Sequence, residues 1–399
     1  MNLSELFDKT VFLLGAGASR DAGCLISSKM LAELKVEINS IPADDQVYGE
    51  FKKGFQELYK VIKPALEYQA ELRRINADKN DLYHPNIEDY ILILRKILNK
   101  DLIIPEPLVG SWSEKLLLLE IKYPNLFKQY LNFIYHCVIK WLTPLDYNAA
   151  NELLTPVKEL LEQTTDEEFF INFFTLNYDL VFEKVFNSDE AKPLNNGFSN
   201  NDWDTTSFDV PQTRMNLYKI HGSLDWYLDK DDTRSLPNYE IAFNKLQPDE
   251  RKPQLILGYE SKLFSVDPFF TLLQKFIEKL SNVNLVVVIG YSFFDAYLNN
   301  ILIKFLNSSE NKKLYIVDPG FSSKPNASES FTEYLKIIQT DTSTLNIYNY
   351  TSLASSKVEF FKSESEISGA KEFYREFFAD KCSKLKDLFE QVGKEDQPF

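Results

Sequence analysis

Cysteine is scarce. The 399 residues include three, Cys24, Cys137 and Cys382, far apart and with no Cys-x-x-Cys pair. That argues against a disulfide framework and a structural zinc module, predicts no metal, and fits a reducing cytosol. Positive charge is also short: 44 Lys and Arg stand against 59 Asp and Glu, a formal net charge of −15. A free-standing nucleic-acid binder carries a basic surface, so no direct nucleic-acid partner is expected. An anionic small molecule stays compatible, because backbone N–H groups and helix dipoles bind anions locally. Long hydrophobic runs are missing too. Leu285–Ile289 with its flanks is far too short to cross a bilayer, so no membrane partner is expected. The opening MNLSELFDKT has acidic residues and no apolar core, which predicts no secretory leader and a cytoplasmic location.

What remains is a core-forming chain. It is 44% hydrophobic and 14% aromatic, enough for a sizeable interior. Its length suits two to three domains, or one α/β domain with a large insertion. Apolar residues recur at helical spacing across 25–165 and break near Pro42, Pro64, Pro85, Pro105, Pro107, Pro124 and Pro144. Short apolar strands are predicted at Val11–Leu14, Glu168–Thr175, Leu217–Ile220, Leu255–Leu257, Leu285–Ile289 and Leu314–Val317. Helical patterns at Pro268–Leu280 and Asp295–Leu306 lie between some of them. Strands alternating with helices predict an α/β fold: a Rossmann-like, doubly wound parallel sheet with a large helical insertion or second α-helical domain. The expected division is 1–30 with 165–345 for the sheet domain, 31–164 for the helical insertion, and 346–399 for a tail with one helix. Residues 187–216 are polar and turn-rich and read as a long surface loop.

Four segments carry chemistry. In VFLLGAGASRDAG an apolar strand meets Gly15-Ala16-Gly17-Ala18-Ser19, and a helical pattern follows. Such a turn suits a dinucleotide pyrophosphate, since glycine permits close backbone approach and a helix start offers N–H groups. Arg20 stands where the usual GxGxxG fingerprint has its third glycine, so the turn alone is a weak signal. The second segment, TLNYD, follows a strand. Asn177 can orient a ribose hydroxyl or a water, and Asp179 can fix the loop or touch the same sugar; an Asx-turn or helix cap is the structural alternative. The third is IHGSLDW. His221 is one of three histidines, with His84 and His136, and an imidazole titrating near neutrality suits a general base. A buried, hydrogen-bonded strand-end histidine is its alternative. In the fourth, GYSFFD, Gly290 and Ser292 offer a second phosphate or ribose contact. Asp318 ends a further strand, where an acid can bind ribose hydroxyls. Ser292 and Asp318 can equally be capping residues. His136 reads as packing inside an apolar helix, and His84 as surface or loop.

Taken in order, GAGAS, TLNYD, HGSLDW and GYSFFD resemble the sirtuin-like NAD-binding domain, over roughly residues 8–35 and 165–330. Gly15, Ala16, Gly17, Ser19, Ala22 and Gly23 match its GAG-x-S…AG turn. Thr175, Asn177 and Asp179 match its T-Q-N-x-D segment, with Leu176 in place of glutamine. His221-Gly222 match its catalytic histidine and glycine, and Gly290 with Ser292 its G-[TS]-S turn. The four-cysteine zinc module is absent, and Cys24-Leu25-Ile26-Ser27-Ser28 replaces the deacylase Ile-Pro-Asp-Phe-Arg stretch. The helical insertion and HGSLDW are more similar to bacterial sirtuin-like NAD-hydrolysing defence proteins, of the stand-alone subunit type that pairs with a HerA-like ATPase or an Argonaute. The resemblance implies NAD as substrate, antiphage action through NAD depletion, a homo-oligomer, and Asn177 and His221 as catalytic residues. It further implies a cofactor-binding set of Gly15, Ala16, Gly17, Ala18, Ser19, Thr175, Asp179, Gly290, Ser292 and Asp318. A protein deacylase, an ADP-ribosyltransferase and a silent NAD or ADP-ribose sensor are the alternatives.

Overall fold

The computed structural model describes residues 1–76, 85–99, 112–144, 146–165, 168–186, 194–199, 202–204, 206–209, 213–228, 239–241, 255, 267–322, 357–363 and 369–394. Its strands, in chain order, are β1 (Thr10–Leu14), β2 (Ile171–Thr175), β3 (Phe198–Ser199), β4 (Asp202–Trp203), β5 (Met215–Lys219), β6 (Trp226–Leu228), β7 (Tyr239–Ile241), β8 (Leu285–Ile289), β9 (Lys313–Val317) and β10 (Val358–Phe360). Six of them form one sheet in the order β10-β9-β8-β1-β2-β5, every pair parallel. Counted by chain position within that sheet, the order is 3-2-1-4-5-6, the doubly wound arrangement that the alternation of strands and helices predicts.

The strand sequences explain why this sheet is buried on both sides. All five residues of β1, β2, β5, β8 and β9 are buried. β1 and β8 are the near-continuous apolar pentads that a parallel sheet covered on both faces requires, while β2 and β5 bury Asn172, Asn216 and Lys219 as well. Side chains alternate between the faces. Val11, Leu13, Val286, Val288, Leu314 and Ile316 pack with Leu272, Phe276, Leu298 and Leu302 from the helices Phe269–Asn282 and Ala296–Asn307. On the opposite face Phe12 and Phe173 meet at 5.0 Å between ring centroids, and Phe378 lies 5.5 Å from Phe12. Burial of one such side chain contributes about 1.5–3 kcal/mol.

Phe378 caps the helix Ala370–Phe377, so the tail is part of the sheet unit. That helix packs against the helix Tyr147–Gln163 and against Ala16–Ala22. By compactness the sheet unit comprises Met1–Cys24, Thr143–Ile256 and Leu263–Phe399, and the helical unit Leu25–Leu142 with Leu257–Lys262. The helices Tyr147–Gln163 and Ala370–Phe377 both fall in the sheet unit. The helical unit holds the helices Ser27–Ser40, Lys52–Asn76, Ile87–Asn99, Trp112–Lys122 and Leu126–Leu142. Phe55, Tyr90 and Tyr130 lie at its centre, the two hydroxyls 3.1 Å apart.

The helical segment expected after the first glycine turn is a 3₁₀ helix, Ala16–Ala22. Gly23 ends it in the left-handed conformation, and its N–H donates to the Arg20 carbonyl. Two expectations are corrected. Part of the 187–216 loop is ordered as β3, β4 and the start of β5. Phe198, Trp203 and Phe208 form an aromatic cluster there with Trp226 and Tyr218. Of the expected strand Leu255–Leu257, Leu255 forms a single antiparallel bridge to Gly222, and 256–257 lie outside the described residues.

Candidate functional site

Every chemistry-bearing segment sits at the carboxyl edge of the sheet. Leu14 pairs in register with both Thr175 and Ile289, Thr175 with Lys219, and Ile289 with Val317. The residues that follow, Gly15, Leu176, Ile220, Gly290 and Asp318, therefore leave the sheet along one line. The chain connections reverse between β1 and β8, and in open parallel sheets that switch point is where a ligand crevice forms.

The β1 and β8 turns interlock at this point. Gly15 N donates to Ile289 O and Gly17 N to Gly290 O, each at 2.9 Å. A Cβ on Gly15 would lie 2.5 Å from Tyr291 Cα. One on Gly290, which has φ +62, would lie 2.4 Å from Ala18 N. The glycines are thus demanded by backbone contact between two turns. Ala18 N donates to Gly15 O, so the N–H groups of Gly15, Gly17 and Ala18 are all spent inside the protein. With a 3₁₀ helix in place of an α-helix, the expected pyrophosphate cradle of backbone donors is reduced. Ala16 is the exposed residue of the turn, and Gly17 is half-buried.

The β2 loop locks onto the same turn. Asn177 Nδ2 donates to Gly15 O at 2.9 Å and to Ser19 Oγ at 3.1 Å, and its backbone N–H donates to Thr175 Oγ1 at 3.0 Å. Asp179, 6% exposed, accepts from Val181 N at 3.1 Å and so starts the helix Val181–Phe186. Burial raises the Asp179 pKa, opposed first by the Lys219 charge and then by hydrogen bonds from Ser19, Val181 and Asn177. Gly15, Ser19, Thr175, Asn177 and Asp179 are therefore one network. Asn177 uses its amide N–H groups to hold the turn.

The β5 loop is joined to the β2 loop through Leu224 N, which donates to Tyr178 O at 3.0 Å. It carries His221, whose side chain is 11% exposed, with Nε2 3.4 Å from Asp295 Oδ2. Beneath it Lys219, the last residue of β5, donates to Glu183 Oε1 at 2.8 Å and to the Asp179 carbonyl. Burial pushes the Glu183 carboxyl up to about 7; Lys219 opposes the rise and the nearby Asp225 adds to it. Both Asp225 carboxylate oxygens and Ser223 Oγ are buried with no hydrogen-bond partner among the described residues.

Two further expected site residues follow β8 and β9. Ser292 is exposed. Asp318 Oδ1 accepts from Gly320 N at 2.7 Å and begins the helix Pro319–Ser322, a capping role. His136 is exposed in the helix Leu126–Leu142, with Nδ1 3.1 Å from the Tyr48 hydroxyl, and is not the packing residue expected. His84 lies outside the described residues. Four buried polar residues near these loops were not singled out from the sequence: Asp295, Lys219, Glu183 and Asp225. Asp295 and Asp225 lie inside GYSFFD and HGSLDW, so their motifs were the available signal. Lys219 and Glu183 had none. Among the described residues no group of three His, Cys, Asp or Glu side chains is placed to hold a metal ion, and no helix is long and apolar enough to cross a membrane.

Residues 171–339 match the family model described as SIR2-like domain. No curated protein matches the chain. Among solved structures, a Sir2 homologue in complex with ADP-ribose shares 12% identity at a TM-score of 0.34, covering 85% of this chain and 94% of that one. A Sir2 homolog–NAD complex shares 11% identity at 0.34, covering 84% and 90%.

Proposed function

We propose that this chain is an NAD glycohydrolase, cleaving NAD to nicotinamide and ADP-ribose. The observation that carries the reading is the convergence of Asn177 and His221. They stand on two loops tied by a backbone hydrogen bond at the carboxyl edge of a doubly wound sheet, and each reaches toward its switch point, Asn177 to Gly15 O of the β1 turn and His221 to Asp295 of the β8 loop. The SIR2-like match over the same segments and the NAD and ADP-ribose complexes of similar proteins support the choice of dinucleotide.

The chemistry follows from the placement. The glycosidic bond between ribose and the nicotinamide nitrogen breaks, and its electron pair neutralises the pyridinium ring. The sugar passes through an oxocarbenium-like state, water adds to the same carbon, and its proton leaves to a base and then to solvent. His221 is the base, toward that water or a ribose hydroxyl. Asn177 Oδ1 orients the ribose and the water. The turn at Gly15–Ser19 lies against the pyrophosphate, with Ala16 and Gly17 forming the accessible surface. Thr175 and Asp179 hold the β2 loop, Gly290 seats the turn, and Ser292 and Asp318 are the outer ribose or phosphate contacts. Alignment of water and sugar supplies most of the acceleration, and base catalysis roughly 10²–10⁴-fold. Asn177→Ala is expected to lower NAD turnover by at least about 100-fold. Turnover at the wild-type rate in this variant excludes the assignment.

The biological role we assign is antiphage defence by NAD depletion. An unregulated NAD hydrolase destroys its own host's NAD pool, so the site is gated, by self-association or by a partner such as a HerA-like ATPase. The helical unit supports a contact role: its helix Trp112–Lys122 exposes Leu117, Leu118 and Ile121.

A further inference from the structure

We infer that Asp295 is the positioning residue for His221, fixing which imidazole nitrogen acts as base; this rests on the hydrolase reading. Asp295 divides its carboxylate between two tasks. Oδ1 accepts from Tyr297 N at 3.0 Å and Leu298 N at 3.3 Å, which starts the helix Ala296–Asn307. Oδ2 faces His221 Nε2 at 3.4 Å. Capping alone does not require a carboxylate, since serine, threonine or asparagine caps a helix as well. What only the acid provides is a second anionic oxygen for the imidazole.

The surrounding loop is built to hold that oxygen in place. Asp295 is 4% exposed, so its charge needs a partner. Between β8 and the helix the chain passes through two left-handed residues, Gly290 at φ +62 and Phe293 at φ +57. Phe293 pays a conformational penalty there that a glycine would not, and such strain persists only where the surroundings over-determine it. The bracing is visible. Asn299 Nδ2 donates to Phe293 O, and the Tyr291 hydroxyl lies 3.2 Å from Asp295 O and 3.0 Å from Asn299 Oδ1. Asn299 N donates to Asp295 O at 2.9 Å. The result brings a carboxylate from the β8 loop back across the switch point to the histidine of the β5 loop.

The consequence is a defined tautomer. A carboxylate facing Nε2 keeps the proton on that nitrogen, so the lone pair of neutral His221 is on Nδ1, and Nδ1 is the atom that takes the proton. The distance is long for a hydrogen bond, but such contacts often tighten only when substrate is bound.

The test uses the full chain with ¹⁵N-labelled histidine. Its spectrum holds three imidazoles, and His221→Ala assigns the one that matters. Wild-type His221 is expected to show a protonated Nε2 and a bare Nδ1. In Asp295→Asn the amide oxygen keeps the helix cap, which turns the NH₂ toward His221 and moves the ring proton to Nδ1. The kcat is then expected to fall by about 10²–10⁴-fold while KM stays within a few-fold. Asp295→Ser retains a cap but cannot reach the ring, and is expected to lose kcat with its thermal transition near wild type. An unchanged tautomer in Asp295→Asn overturns the inference, and so does an inverted tautomer with near-wild-type kcat. The tautomer is read without turnover, so a failure of the hydrolase reading leaves this result separately visible.

Discussion

At the scale of single residues, the polar groups around the site divide into those that are satisfied and those that are not. Asn177 is satisfied, and its contacts explain why an asparagine rather than an aspartate stands there: it must donate to Gly15 O and Ser19 Oγ. The Tyr374 hydroxyl is the opposite case, fully buried, raised in pKa by burial and then by the Asp179 charge, and without a hydrogen-bond partner among the described residues. Tyr374→Phe is therefore expected to be neutral or to stabilise the protein by up to about 1 kcal/mol, read from denaturant unfolding. A loss larger than that would reveal a partner for the hydroxyl. Glu183 supplies a pH test. Its carboxyl is held near 7 in the folded protein and near 4.5 in the unfolded chain, so between those values the folded state binds a proton that the unfolded state has released. Stability attributable to this group is full below about pH 4.5 and declines as the pH rises through 7, by at most about 3 kcal/mol at 1.36 kcal/mol per unit. Glu183→Gln lacks this decline. Unfolding free energies measured at pH 5 and pH 8 should show the wild type falling relative to Glu183→Gln as pH rises, and parallel curves would contradict the assignment.

At the scale of elements, the interlocked turns after β1 and β8 are the feature on which the site depends. Gly290→Ala places a methyl group against the Gly17–Ala18 backbone and forces a β-carbon into the left-handed region. Backbone cannot yield as a flexible side chain does, so a destabilisation of about 2–3 kcal/mol is expected in denaturant unfolding. A change under about 0.5 kcal/mol would show that the turns do not interlock in this way. The strands were readable because buried parallel strands are short apolar runs with polar or glycine ends, and β1, β2, β8 and β9 all have that form. The polar line at the carboxyl edge was readable for the same reason, since each motif follows a strand. The 3₁₀ geometry of Ala16–Ala22 was not, because helical spacing over seven residues does not separate 3₁₀ from α. Strand β10 was missed because Val358–Phe360 is three residues long and joins the sheet only through its neighbour β9. The contact between His221 and Asp295 was likewise illegible, because it joins two motifs by tertiary packing and no local spacing encodes it.

At the scale of the molecule, an acidic chain with a formal charge of −15 holds the polar carboxyl edge of a doubly wound sheet on one unit and a helical unit of separate core. Gating by association predicts that specific activity rises with protein concentration, in step with the assembled fraction seen by sedimentation. Activity that is flat across the concentration range in which the chain associates would contradict self-gating. The central claim is tested most directly by chromatography of NAD and its products after incubation with the purified chain at several concentrations, beside His221→Ala. The account predicts equimolar nicotinamide and ADP-ribose from the wild-type protein and neither from the variant. Equal product from both proteins would contradict it, as would NAD consumption that yields an acyl-ADP-ribose or a modified protein instead of free ADP-ribose.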